Sequence, residues 1–303
     1  MTILRTNTVS GIGNTDGTVF EGDVTFDSLN YMTLPKGTTT ERYVKSTGDI
    51  VSGNLIWHID AGNTTSYAGV TTSGTTIYDL QGGSGMNGGV GIATLASGHA
   101  SWPAPGWTTD NGGAWYLGSG SNLDSPDYTG QRIEMPYISL GNNNYTINVW
   151  AKLNHFSEHS DGHSYLVSNK DGGPVTYHSH IKRVGRQGRI GAGAYNGSWA
   201  YDYASGSSRN TMISLNKWYM LTWVNVSANT QSMYVNGKIQ KLYNSGNNTW
   251  TSTSSNNTPM NSTAYGGVEV LNGWISQIQY YSDALSVDEI LQNYNAHKCR
   301  YDQ

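Results

Sequence analysis

The chain has 303 residues, a net charge of −4 and 13% charged residues, with 38 glycines, 21 tyrosines and a single cysteine. Nucleic-acid binding by phosphate neutralisation needs basic clusters that this chain lacks, and Cys299 has no second cysteine with which to frame a disulfide domain. No apolar run approaches the ~20 residues of a membrane span, so neither nucleic acid nor membrane is an expected partner.

Tyr, Trp, Thr and Val favour strands, whereas Gly and Asn favour turns. The composition therefore predicts an all-β chain with many loops. A sandwich of roughly 200–250 residues can be one domain, which suggests a large unit over 51–303 and an extension over 1–50. The extension contains no Trp and shows short alternating pieces around 17–26 and 31–35. Val19, Phe20, Val24, Phe26 and Leu34 are too few to bury a core alone. They must pack on another surface, and they are the candidate attachment residues. The first residues lack the apolar core of a signal peptide, which predicts synthesis in the host cytoplasm.

The large unit opens with Leu55-Ile56-Trp57-His58-Ile59, where Leu55, Trp57 and Ile59 are expected on one face, followed by the turn cluster Asp60-Ala61-Gly62-Asn63. In Tyr145-Thr146-Ile147-Asn148-Val149-Trp150-Ala151-Lys152-Leu153, Ile147, Val149 and Ala151 face one side and Trp150 the other. Apolar groups on both faces mark a strand near a sheet centre. A tryptophan strand follows at 215–223. Asn236-Gly237 then supplies the two positive-φ residues of a type I′ hairpin turn. After the strand at 273–281, Ser286-Val287-Asp288-Glu289 reads as a capping box, with Leu285 and Ile290 in staple positions. That helix should carry Leu291 and Tyr294 on its apolar stripe to about Ala296 and cover the sandwich edge.

The candidate chemistry is sparse. Glycoside cleavage needs paired carboxyls flanking the bond, and Glu21, Glu41, Glu134, Glu158, Glu269 and Glu289 are isolated from one another. No Gly-x-Ser-x-Gly elbow is present either, so no enzyme activity and no catalytic residues are expected. His155, His159, Asp161 and His163 are the densest ligand-like group; their Ser- and Gly-rich setting reads as an exposed polar loop. His178 and His180 read as surface histidines. Sugar recognition needs exposed aromatic faces beside polar groups. Trp199 and Tyr201, in 195–203, and Trp250 meet that description as a stacking surface on rim loops.

The ordered series of 53–67, 77–83, 113–120, 145–153, the Tyr234-Val235-Asn236-Gly237 hairpin and the Gly273-Trp274-Ile275-Ser276-Gln277-Ile278-Gln279-Tyr280-Tyr281 strand with Ala284-Leu285-Ser286 resembles the laminin-G-like, concanavalin A-like jelly roll. The resemblance implies a sandwich of two antiparallel sheets over 51–303, preceded by a short β-rich extension and ended by one helix. It implies no cofactor beyond a calcium ion on rim loops, for which Asp60, Asp79, Asp110, Asp161 and Asp171 are candidates. The extension, through Phe20-Glu21-Gly22-Asp23-Val24-Thr25-Phe26 and Leu34-Pro35-Lys36-Gly37-Thr38-Thr39-Thr40-Glu41-Arg42, resembles N-terminal modules of tailed-phage virion proteins. What this implies is a virion structural protein on the outer surface of the particle, as a capsid decoration or small tail appendage. Its implied partners are other virion proteins and its own copies, a trimer among the options. The alternative is a tail fibre-like adhesin, a receptor module for a host surface glycan.

Overall fold

The computed structural model describes residues 49–67, 76–81, 84–85, 89–90, 92–96, 106–117, 132–135, 144–154, 163–167, 180–185, 189–195, 199–204, 213–226, 230–240, 242–244, 264–265, 269–271 and 273–301. Attachment candidates Val19, Phe20, Val24, Phe26 and Leu34, together with Trp250, His155, His159, Asp161, Asp171 and His178, lie outside these residues.

One sheet has eight strands: β1 (Leu55–Asp60), β2 (Gly106–Thr108), β3 (Ala114–Leu117), β4 (Tyr145–Leu153), β9 (Trp218–Val226), β10 (Thr230–Val235), β11 (Lys238–Ile239) and β13 (Gly273–Tyr281). The other has five: β5 (His163–Val167), β6 (His180–Gly185), β7 (Arg189–Tyr195), β8 (Trp199–Ala204) and β12 (Leu242–Asn244). A smaller three-stranded sheet joins Thr76–Tyr78, Ile92–Ala96 and Arg132–Glu134. All these pairings are antiparallel. The fold is a concanavalin A-like jelly roll, all-β apart from a helix at the C-terminal end.

In the large sheet the order runs β11-β10-β9-β4-β13-β3-β2, so β4 stands between two nine-residue neighbours, as its two apolar faces foretold. Strand β13 divides its far side, pairing Gly273–Ile275 with β3 and Gln277–Tyr281 with β1. Its register against β4 shifts between Ile275 and Gln277, placing a bulge at the changeover. The core lies between the sheets. Tyr145, Ile147, Val149, Ala151, Leu221, Trp223, Ile275, Ile278 and Tyr280 meet Leu166, Val167 and Ile190 of the five-stranded sheet.

A second apolar cluster lies on the outer face of the large sheet. Trp150, Trp218, Met220, Val224, Tyr234 and Tyr281 are buried there against Leu285, Ile290 and Tyr301. Helix α1 (Val287–His297) therefore covers this face rather than the sandwich edge alone, because four strands present large apolar groups to it. The capping box forms as expected: Ser286 accepts from the Glu289 backbone, and Glu289 accepts from the Ser286 backbone. Two expectations are corrected. A register shift between Leu55 and Trp57 moves Leu55 to the outer cluster, so it does not share a face with Trp57 and Ile59. The helix buries Ile290, Asn293 and Ala296 and leaves Leu291 41% exposed. Asn293 takes the inward place because it receives the Val51 N–H at 2.8 Å and donates to Tyr281 Oη at 3.1 Å.

The hairpin turn is type I′, with Asn236 at φ 52° and Gly237 at φ 76°. Val235 faces Lys238 across it. A Cβ at Gly237 would sit 3.1 Å from Leu291 Cδ1, so the turn also abuts α1. Where the chain enters the domain, Gln292 Nε2 donates to the Asp49 carbonyl, and Ile50 and Val51 pack in the outer cluster. The extension therefore joins the fold beside α1.

Candidate functional site

Strand alternation sorts β4 into a core row and an outer row of Thr146, Asn148, Trp150 and Lys152. Cross-strand register then lines up the outer residues of neighbouring strands into rungs. One rung runs Thr222-Asn148-Gln279-His58 over β9, β4, β13 and β1. Within it Thr222, Asn148 and Gln279 turn to each other, while His58 Nε2 is buried without a partner. Thr222 Oγ1 donates to Asn148 Oδ1 at 2.7 Å, and Asn148 Nδ2 donates to Gln279 Oε1 at 3.1 Å.

Beside it sits a clasp that fastens the 3-10 turn Lys298–Tyr301 to the sheet. Arg300 Nη1 lies 2.8 Å from both carboxylate oxygens of Asp60. Nε donates to the Asn111 carbonyl at 2.6 Å, and Nη2 donates to the Gly113 carbonyl at 3.0 Å and to Ser276 Oγ at 2.8 Å. Asp60 also accepts from Gly62 N and Gln277 Nε2. Asn111, in the left-handed region at φ 53°, donates to the Arg300 carbonyl and accepts from Trp218 Nε1. The clasp holds the Tyr301 ring over Trp150 at 4.1 Å and Trp218 at 4.9 Å. Burial holds His58 and His297, both close enough to feel Asp60 and Arg300, down at about 4 each. Asp60 is thereby withdrawn from the calcium candidates, since protein donors fill its oxygens. Asp79 Oδ1 likewise accepts from the backbones of His58 and Gln81. Among the described residues no group of three or more His, Cys, Asp and Glu stands together as a metal set.

Past the clasp, one rung is built differently. Trp218, Lys152, Trp274 and Tyr116 stand side by side on β9, β4, β13 and β3. Lys152 Nζ lies 5.4 Å from the ring centroids of both Trp218 and Trp274. Trp274 and Tyr116 are tilted 52° with centroids 4.9 Å apart. Lys152, Trp274 and Tyr116 are half-buried, whereas Trp218 is held under Tyr301. The row continues to Gly106 of β2, which is exposed and carries no side chain. With strands ~4.8 Å apart, four of them span roughly 14 Å. Lys152 makes no ion pair, and the Trp274 indole N–H finds no acceptor, among the described residues. Two ring faces, an ammonium and an indole N–H are what a sugar needs: apolar faces to stack on and donors for its oxygens.

Of the stacking residues expected from sequence, Trp199 and Tyr201 are on strand β8 and not on rim loops. Their alternation in Trp199-Ala200-Tyr201-Asp202-Tyr203 is the period of a strand. Trp199, Tyr201 and Tyr203 pair in register with Tyr195, Gly193 and Gly191 of β7. The structure thus puts these two expected residues on the sheet opposite the Lys152 row. Sequence reading missed Lys152, Trp274 and Tyr116. Their one signal was parity, since each falls between core positions of a strand; the register that joins 116, 152, 218 and 274 has no local signature.

Comparison with families and structures gives the following. The family described as Concanavalin A-like lectin/glucanases superfamily, of laminin G type, matches residues 127–291. No curated protein matches the chain. Domain 4 of AbnA, a GH43 extracellular arabinanase from Geobacillus stearothermophilus solved in complex with arabinotriose, superposes with a TM-score of 0.51 at 15% identity, over 80% of this chain and 98% of that one. The binding domain of Paraclostridial Mosquitocidal Protein 1 gives 0.52 at 15% identity, and the receptor binding domain of botulinum neurotoxin C/D mosaic serotype 0.51 at 14%. Each covers 80% of this chain, which spans only 52% and 51% of the two toxin domains. At these identities the likeness is one of fold.

Proposed function

The chain belongs to the concanavalin A-like lectin/glucanases superfamily, and from that premise we propose that it is a carbohydrate-binding module displayed on the outside of a tailed-phage particle. The observation that carries the binding reading is the Trp218-Lys152-Trp274-Tyr116 row, with half-buried rings and unclaimed donors on the outer face of the large sheet. The arabinanase domain with arabinotriose and the toxin receptor-binding domains support it, as binding units built on the same fold. Binding without cleavage is the reading we propose, since protonating a glycosidic oxygen and attacking the sugar takes two carboxyls and the four residues of the row are Trp, Lys, Trp and Tyr. The fold by itself does not choose between these chemistries.

The test incubates the purified chain with host-envelope polysaccharides, following both retention and reducing-end release. Retention without release, lost in Trp274→Ala, is the expected result. Loss in Trp199→Ala or Trp250→Ala instead would move the site to the opposite sheet or a rim loop. Release abolished by one Asp or Glu substitution would overturn the reading.

A second reading is a virion structural protein, a capsid decoration or small tail appendage that carries no receptor role. The extension favours it, with its phage-like phrases and too few apolar residues to fold alone, and it enters the domain at Asp49–Val51 beside α1. Copies would repeat around the particle, and weak single sites would then gain by avidity. Labelling the chain on purified particles and locating it by electron microscopy decides this; a protein absent from particles would end both virion readings.

A further inference from the structure

We infer that the sugar taken by the Lys152 row carries a carboxylate, as a uronic-acid unit does; this rests on the binding reading above. Lys152 stands between two indoles on the same face, 5.4 Å from each ring centroid, and no described carboxylate pairs with it. Its neighbours in register are aromatic on both sides, Trp218 and Trp274. An ammonium held over ring faces is fixed in position by the ring quadrupoles and keeps its N–H donors for an acceptor.

The contrast with Arg300, on the same outer face, is informative. Arg300 is matched to Asp60 and to backbone carbonyls, so its charge is spent inside the protein. Lys152 is the cation of its rung left for something that arrives. A pyranose stacked on Trp274 would present its ring substituents toward the neighbouring strand, where Lys152 stands. A single carboxylate there gains a charge-assisted hydrogen bond, about twice as strong as a neutral one. A sulfated or phosphorylated polyanion fits less well. It needs several cations along its length, the rung offers one, and the chain carries a net charge of −4.

The experiment uses the full chain with three short probes: trigalacturonic acid, its methyl ester with the same rings and no charge, and a sulfated trisaccharide. We expect the acid to bind about tenfold or more tighter than the ester, with the advantage shrinking as salt rises. Lys152→Gln should weaken the acid by about tenfold or more and the ester much less, which removes the advantage, and Lys152→Arg should restore most of it. Trp274→Ala, or Trp274→Tyr if the first melts early, should weaken both probes. Equal affinity for acid and ester, or a Lys152→Gln loss that is the same for both, would overturn the carboxylate inference and leave the binding site standing. Preference for the sulfated probe would overturn it in favour of a polyanion. Acid binding that is indifferent to Lys152 and Trp274 together would remove the row as the site.

Discussion

The outer face of the eight-stranded sheet contains two regions that share strands and differ in what they leave unfinished. Beneath α1 and the 3-10 turn, most polar groups close on one another, with His58 Nε2, Gln277 Oε1 and His297 Nδ1 as exceptions. Asp60 is filled by Arg300, Gly62 and Gln277, and Asn148 is filled by Thr222 and Gln279. One step along β4, the Lys152 row has the same aromatic content but spare donors and partly open rings. The lesson is that aromatic density on a sheet face does not mark a binding site. Trp150, stacked between Tyr294 and Tyr301, is as aromatic as Trp274, yet it is structural because a covering element takes its face.

The sharpest way to break the comparison is to unpair the clasp. Arg300→Met leaves the Asp60 carboxylate without its counter-charge, and removing one partner of a buried pair costs about 3–5 kcal/mol. Urea denaturation should show the loss, together with release of Tyr301 from Trp150 in tryptophan fluorescence. An unchanged midpoint would show that the clasp is ornamental.

Acid should act on the same region from another side. The folded state holds His58 and His297 down at about 4, against about 6.5 in the unfolded chain. The unfolded state therefore binds protons first. Stability from these groups is complete above about pH 6.5 and is lost as pH falls toward 4, on the order of 3 kcal/mol per histidine. Melting temperature measured from pH 8 to 4 should fall through that window, and the fall should be shallower in His58→Gln. A flat profile would mean that the histidines are hydrated in the fold.

Smaller effects separate the helix from the row. Gly237→Val forces a β-branched residue into a positive-φ position and against Leu291, for a loss of about 1–3 kcal/mol in denaturant. Ser286→Ala removes the cap of α1 and should cost about 1 kcal/mol. Trp274→Ala should cost a similar amount, about 1 kcal/mol for a half-buried ring, while losing most of the sugar retention. A large stability loss with binding kept would reverse the roles assigned to the two regions.

Much of this protein was determined by local chemistry alone. Asn236-Gly237 dictates a type I′ turn because both positions need positive φ, and the Ser286–Glu289 box sets the start of α1 because its partners are three residues apart. The alternation in 145–153 placed β4 at the sheet centre. These features are legible because their partners are near in sequence. Tertiary structure decided the rest. The bulge that turns Leu55 outward and the use of Asn293 as an inward helix residue each depend on a distant neighbour. Above all, the row of Tyr116, Lys152, Trp218 and Trp274 exists only through register, since antiparallel pairing brings together residues up to 158 positions apart. Parity within a strand says which face a residue takes; which residues it meets there is fixed only when the sheet closes.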